Sequence, residues 1–356
     1  MLKKICLFII LIFIGFLLYF SFTSDILKTV NSGKDIDVLF IYEDFSDETN
    51  VETKFFAAKY NSYDKYIKTV FVDENITVFQ KTKKSKTLKE MFVEVEKDKR
   101  IVFIKNETEK LFDGKLNFDF YILLDKKSLE TVVEIFSKSK DLKNNTALLN
   151  KSLNRDVDVY DGMACRIKLL NYVYYNSQRI VLINLLKCLY DKKLVVQTNF
   201  KTKEFLLLYS KIFNGEKIIR FADVPTVYKR NRIELDSDGM QKIIKFFEET
   251  EHEDEKKDLK IEVLNSTKKS RLAIKAANKL RENSFDVVDW GSSSKKYEFT
   301  MIFDLVNNYE KIKNIKNILN CGEIIFRPQE RPLTDVSVML GQDCNIYDKL
   351  DREADD

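Results

Sequence analysis

The start of the chain constrains it most. Lys3-Lys4 precedes residues 5–22, which are uncharged and almost wholly apolar. At ~1.5 Å of rise per residue, a helix of that length covers most of the ~30 Å hydrocarbon core of a bilayer. Lysines before the stretch, and none within it, keep the N-terminus in the cytoplasm and put the rest of the chain outside. A cleaved signal peptide is the rival reading, but its apolar region is usually only ~7–15 residues and ends at a small-residue site. Ser21-Phe22-Thr23-Ser24 offers a weak site of that kind. The expectation is an uncleaved single-pass anchor, residues 1–25 forming a cytoplasmic tip and membrane span, with the bulk extracytoplasmic.

Composition fits a folded remainder. Of 356 residues, 44% are hydrophobic and 33% charged, enough apolar surface for a core and enough chain for two domains. The net charge of +4 argues against a nucleic-acid partner, which calls for a strongly basic face. His252 is the only histidine, and it sits in the acidic run 248–258, which reads as a solvated linker. Ser-His-Asp and Cys-His chemistry and most zinc sites are therefore out of reach. Chemistry would rest on Arg, Lys, Asp or Glu, with a hard cation if any.

Four cysteines follow the anchor: Cys165, Cys188, Cys321 and Cys344. In an oxidising compartment the simplest pairing is Cys165 with Cys188 and Cys321 with Cys344; buried free thiols are the alternative. No CxxC spacing supports a metal or redox motif.

Hydrophobic periodicity divides the chain at the acidic run. Before it, residues 37–42, 66–72 and 118–124 read as buried strands, and 100–104 as a strand or short helix. Residues 127–137, 178–189, 205–213 and 238–247 carry helical spacing. Alternating strands and helices imply an α/β layer fold. Lys81, Lys83, Lys84, Lys86 and Lys89 form a basic cluster, read as a solvated loop or, more sharply, as a patch attracting anionic lipid or wall polymer. After the run, strands are expected at 260–265, 285–290 (stopped by Gly291), 299–305, 323–326 and 336–340. Helices are expected at 271–281 and around Ile312, Ile315 and Leu319. Trp290, the only tryptophan, is expected to pack over the core, with carbohydrate stacking as the alternative.

The second unit resembles a known family. Ile261-Glu-Val-Leu-Asn-Ser-Thr267, the helix from Ala273 to Leu280, Phe285-Asp-Val-Val288, and Asp335-Val-Ser-Val-Met-Leu-Gly341-Gln-Asp343 look like the LytR C-terminal domain. Its pattern is V-L-N-G-T, A-x-x-A-x-x-L, G-F-x-V and D-V-x-V-x-L-G-x-D. Ser266 and Asn283-Ser284 stand where that family usually has glycine. Such a domain often follows a LytR-CpsA-Psr (LCP) domain behind a single anchor. Residues 37–44, then Asn117-Phe-Asp-Phe-Tyr-Ile-Leu-Leu-Asp125 with its following helix, Tyr160-Asp161-Gly162 as a turn, and Gln178-Arg179-Ile180 as a helix start resemble one. The resemblance implies an LCP-like mixed α/β sheet domain at 35–247 and a small α/β sandwich at 259–345, with an acidic tail at 346–356.

LCP enzymes move glycopolymers from polyprenyl pyrophosphate onto peptidoglycan, with arginines on the pyrophosphate and acidic residues on Mg²⁺. Carried over residue by residue, Asp44 matches a strand-end aspartate. Arg179 matches the first helix arginine, about as readily read as a surface residue. The P-R-D-T segment falls near Asp73-Glu74-Asn75-Ile76, where a carboxylate replaces the pyrophosphate arginine; the second helix arginine becomes Leu182. Arg155, Arg166 and Lys168 are further substrate-binding candidates. The resemblance thus implies an impaired site, and Mg²⁺ only if transfer survives. Three readings follow: a scaffold or binder of peptidoglycan, wall polymer or an envelope protein; a diverged but active phosphotransferase; and a transcription attenuator, which the anchor and near-neutral charge oppose.

Overall fold

The chain is described by a computed structural model covering residues 25–44, 51–79, 85–96, 98–138, 140–154, 156–176, 184, 187–188, 191, 196–199, 201, 204, 217–229, 232–248, 258–329 and 332–346. The apolar segment 5–22, Arg155, Arg179, His252 and the predicted helix at 205–213 lie outside those residues, as does most of the one at 178–189. Among the described residues, no helix is long and apolar enough to cross a membrane.

The first strand, β1 (Ile36–Asp44), is buried along nearly its whole length, as its apolar run requires of a central strand. β2 (Glu52–Tyr60) alternates buried and half-buried positions and pairs antiparallel with both β1 and β3 (Tyr66–Val72). β4 (Thr77–Phe79) and β5 (Ser85–Thr87) form a small hairpin. Thr87 then caps the helix Leu88–Glu94 through a capping box with Glu90. Residues 100–104 belong to a helix, Arg100–Leu111. β6 (Phe120–Asp125) returns parallel to β1, and Asp125 caps the helix Lys126–Phe136. The helices Leu142–Leu153 and Val159–Asn176 follow. Tyr160-Asp161-Gly162, expected as a turn, lies inside the second of these. Its helical spacing of Met163, Ala164, Ile167 and Leu170, which share one apolar cluster, outweighs one glycine.

β7 (Val196–Thr198), β8 (Ile218–Asp223), the hairpin of β9 (Thr226–Lys229) and β10 (Arg232–Leu235), and the helix Ser237–Glu248 complete the stretch before the acidic run. Beyond it come β11 (Lys260–Asn265), the helix Leu272–Glu282, β12 (Asp286–Ser292), β13 (Met301–Asp304), the helix Tyr309–Leu319, β14 (Glu323–Phe326) and β15 (Val336–Leu340). β12 continues through Gly291 rather than stopping there.

One eleven-stranded sheet runs in the order β12-β11-β15-β13-β14-β8-β3-β2-β1-β6-β7. The segments on either side of the acidic run meet where β14 lies parallel to β8, Phe326 opposite Ala222. On one face of the earlier segment, Leu39, Phe55, Val70 and Ala222 pack against Phe92, Ile104, Ile243 and Phe246. In the later segment, the helices 272–282 and 309–319 share one apolar cluster with Ile261, Val263, Ile302 and Val338. The opposite face carries Met301, Phe303 and Ile325, which pack on Met163, Ala164 and Ile167 of the helix Val159–Asn176. That helix therefore serves both segments, and each loses apolar cover without the other.

Polar bolts reinforce this seam. Arg220 on β8 donates Nη2 to Asn307 Oδ1 at 2.8 Å, with Asp304 Oδ2 at 4.0 Å. The rings of Tyr66, Phe246 and Tyr309 surround its guanidinium at 5.0–5.3 Å. Asp161 Oδ1 accepts from the backbone N–H groups of Glu298 and Phe299, each at 3.0 Å.

Cys321 and Cys344 are joined, with a Cα–Cα distance of 5.3 Å. The expected Cys165–Cys188 bridge is absent: both are free thiols, and Cys165 is buried in the helix Val159–Asn176. Trp290 is not a core residue. It is 42% exposed on β12, at the sheet edge, and the Arg281 guanidinium lies 4.4 Å from its ring centroid. Of the basic cluster, Lys86 pairs with Glu94 and Lys89 lines the cavity described next; Lys81, Lys83 and Lys84 lie outside the described residues.

Candidate functional site

Ligands in open α/β sheets bind beyond the carboxyl ends of parallel strands, where backbone ends and loops leave a crevice. β3, β8 and β14 are three adjacent parallel strands. Just past or at their ends stand Asp73, Asp223 and Arg327. Register accounts for the set. Phe71 is opposite Asp223 and Ala222 is opposite Phe326, so the following residue of β14's chain, Arg327, is brought beside Asp223. Arg327 is held there by its backbone N–H, which donates to Asp304 O at 2.8 Å.

A cavity of about 750 Å³ opens at this point. Phe55, Phe56, Phe71, Val72 and Met163 give it an apolar lining. Arg166 projects from the helix Val159–Asn176 with its guanidinium 5.3 Å from the Phe71 ring centroid, and its buried Nε has no hydrogen-bond partner. Arg327 Nη1 donates to the Tyr160 hydroxyl, and its guanidinium lies 5.1 Å from that ring. Lys54 pairs with Glu74 on the wall. Lys295 pairs with Asp158 at 3.3 Å. Val159 and Tyr228 line the cavity while 66% and 73% exposed, so its rim is also apolar.

Burial pushes the Asp223 carboxyl up to about 6, against the pull of Arg327 and with a push from Asp73. Asp73 is raised too, chiefly by burial, with the Asn75 N–H opposing. Burial lowers the Arg166 pKa while Glu74, Asp223 and Asp73 work to keep it charged. For Arg327 burial acts against the charge, and Tyr160 and Asp223 outweigh it, raising the pKa. The site thus sets two guanidinium groups against two reluctant carboxylates over aromatic walls. Such an arrangement is suited to an anion with an apolar body: planar forks match phosphate oxygens, and the walls shed water.

Among the described residues, no three His, Cys, Asp or Glu side chains converge as a metal cage. Asp73 and Asp223 alone would meet a Mg²⁺ arriving with a phosphate, which commonly uses one or two carboxylates.

Of the catalytic and substrate-binding candidates named from sequence, Arg166 is the described one that reaches the cavity; Asp73 and Glu74 of the P-R-D-T-like segment, Tyr160, and Lys89 of the basic cluster line it as well. Asp44 ends β1, 3.7 Å from Lys126 Nζ, and does not line it. Lys168 lies about 200° further round the helix from Arg166. It pairs with Asp343 at 2.9 Å, its Nζ 4.1 Å from the Phe299 ring centroid. Arg155 and Arg179 lie outside the described residues. Asp223 and Arg327 were missed. Both stand where an apolar run ends, Phe221-Ala222 and Ile324-Ile325-Phe326, a signal that strand order alone makes meaningful.

Comparison with known proteins matches residues 258–343 to the family described as LytR cell envelope-related transcriptional attenuator. This segment is a LytR C-terminal domain. No curated protein matches the chain. Among solved structures, a transcriptional regulator from Enterococcus faecalis is similar at 12% identity, covering 63% of this chain and 91% of its own, with a TM-score of 0.47. B. subtilis TagV is similar at 14% identity, covering 61% and 96%, with a TM-score of 0.46. The LytR-CPS2A-psr family protein YwtF (TagT) with bound octaprenyl pyrophosphate lipid is similar at 14% identity, covering 61% and 90%, with a TM-score of 0.42.

Proposed function

We propose that this is a membrane-anchored, extracytoplasmic cell-envelope protein that binds a pyrophosphate-bearing, lipid-linked wall intermediate in the cavity at the ends of β3, β8 and β14. The observation that carries the reading is the pairing of Arg166 and Arg327 with aromatic and apolar walls in one crevice. An arginine pair alone would suit any phosphate; apolar walls and an apolar rim add a preference for a hydrocarbon-linked one. The family match of residues 258–343 supports an envelope role. The apolar run 5–22 supports the anchor, and the Cys321–Cys344 disulfide supports an oxidising compartment.

Binding rather than transfer is the first reading. Glu74 lies on the cavity wall with its charge taken up by Lys54, at the position where the LCP resemblance puts a pyrophosphate arginine. Transfer is the second reading, and the raised Asp223 carboxyl beside Asp73 favours it, because a base with a pKa of about 6 is poised to accept a proton near neutrality. The test incubates the full chain in detergent with a polyprenyl-pyrophosphate-linked glycopolymer, Mg²⁺ and peptidoglycan. Retention of the lipid-linked polymer without release of polyprenyl phosphate is the expected result. Metal-dependent coupling of polymer to peptidoglycan would replace the first reading with the second; no retention and no coupling would remove both.

A further inference from the structure

The LytR C-terminal domain contributes to the cavity rather than standing apart from it. Arg327 follows β14, inside the matched segment 258–343, and Lys295 reaches the same cavity from the loop before β13. Among the described residues, the earlier segment supplies one arginine, Arg166, and all the cavity's carboxylates: Asp73, Glu74, Asp158 and Asp223. Lys54 is taken up by Glu74 and Lys295 by Asp158. Among the described residues, the earlier segment brings Arg166 as its one planar fork, with Lys89 as a further ammonium, to set against Asp73 and Asp223.

We infer that Arg327 is a phosphate-binding residue, so that the cavity is a composite site which the C-terminal domain completes. This rests on the reading of the cavity as a phosphate site. Three observations carry it. The β8–β14 register fixes Arg327 beside Asp223 with no freedom to slide, since Phe326 is already paired with Ala222. Its backbone N–H is tied to Asp304 O and its guanidinium rests against Tyr160 and Phe303, which orients the fork in advance of any ligand. Only Nη1 is committed, to the Tyr160 hydroxyl, a single neutral acceptor for a group with five N–H donors. On this account the C-terminal domain sets the affinity of the site for phosphate, and a ligand bound there bridges both segments of the chain.

Isothermal titration of the full chain in detergent with inorganic pyrophosphate and Mg²⁺ tests this, with Arg327→Gln, Arg327→Lys, Arg166→Gln and Tyr160→Phe beside the wild type. A charge-assisted hydrogen bond contributes enough that Arg327→Gln should weaken binding at least about tenfold, as should Arg166→Gln. Arg327→Lys keeps the charge and loses the fork, so it should also weaken binding while its thermal midpoint stays near that of the wild type. Tyr160→Phe keeps the ring against which the fork rests and removes one neutral acceptor, so it should weaken binding less than Arg327→Gln does. If Arg166→Gln loses binding and both Arg327 variants keep it, the composite site is wrong and the cavity reading survives. If Tyr160→Phe loses as much as Arg327→Gln, Arg327 serves the protein as a brace and the inference fails. If the wild type does not bind pyrophosphate, the cavity reading fails and takes the inference with it.

Discussion

Asp223 and Arg327 stand side by side at the ends of two adjacent parallel strands that lie on opposite sides of the acidic run 248–258. Neither strand carries the pair alone. The sheet makes it, through the single register Ala222–Phe326.

Asp223 makes a stability prediction whose sign is fixed. Its carboxyl is raised from 3.8 to about 6, so the folded state holds its proton more tightly than the unfolded chain does. Stability therefore falls as pH rises from about 4 through 6, and the full penalty is present at neutral pH. Asp223→Asn should stabilise the protein at pH 7 by on the order of 1 kcal/mol, and the gain should vanish near pH 4. Urea unfolding at several pH values checks it; a loss of stability at pH 7 would contradict the raised carboxyl.

Arg220 predicts a large loss of the opposite sign. It is 2% exposed, and its partner Asp304 is 1% exposed. Arg220→Ala leaves a buried carboxylate without its counter-charge and opens space among Tyr66, Phe246 and Tyr309, which should cost about 3–5 kcal/mol. Arg220→Met with Asp304→Asn should recover much of that. Because the pair straddles the seam, the whole described fold should lose stability together. A second transition in the unfolding curve, with only one segment affected, would count against the shared body.

Ser284 predicts a small gain. It adopts φ 66°, the left-handed region in which a Cβ is strained, just after the helix Leu272–Glu282. Glycine is usual there in the LytR C-terminal pattern. Ser284→Gly should stabilise by about 1 kcal/mol. Ser266, at the other such position, is not among the residues with positive φ, so Ser266→Gly should give no gain. A thermal-midpoint comparison of the two variants separates them.

The C-terminal domain was legible in the sequence because each motif residue has a local task. Asn265 Oδ1 accepts from the Thr267 N–H at 2.9 Å, closing the turn after β11. Asp335 Oδ2 accepts from the Lys260 N–H at 3.0 Å. A Cβ on Gly341 would stand 2.2 Å from the Phe299 carbonyl carbon, so only glycine fits. Asp343 Oδ1 accepts from both the N–H and the hydroxyl of Thr300 at 2.7 Å. The cavity was less legible, because its residues are gathered by long-range register. Arg166 was visible as a candidate only by proximity to a family motif. β2 escaped the pattern because its exposed-side positions include Phe56 and Ala58 as well as Lys54, which blurs the alternation. The disulfide Cys321–Cys344 was one of two proposed; burial of Cys165 in the helix Val159–Asn176 removed the other.

The most direct test of the cavity as the site of a lipid-linked pyrophosphate is photo-crosslinking. The full chain in detergent would be irradiated with a prenyl pyrophosphate carrying a diazirine near its head, and the labelled peptides mapped by mass spectrometry. The account predicts label on the cavity walls, in the peptides holding Phe71, Met163 and Tyr228, reduced by excess inorganic pyrophosphate and by Arg327→Gln. Label confined to other surfaces, or label on those walls that pyrophosphate does not displace, would contradict it.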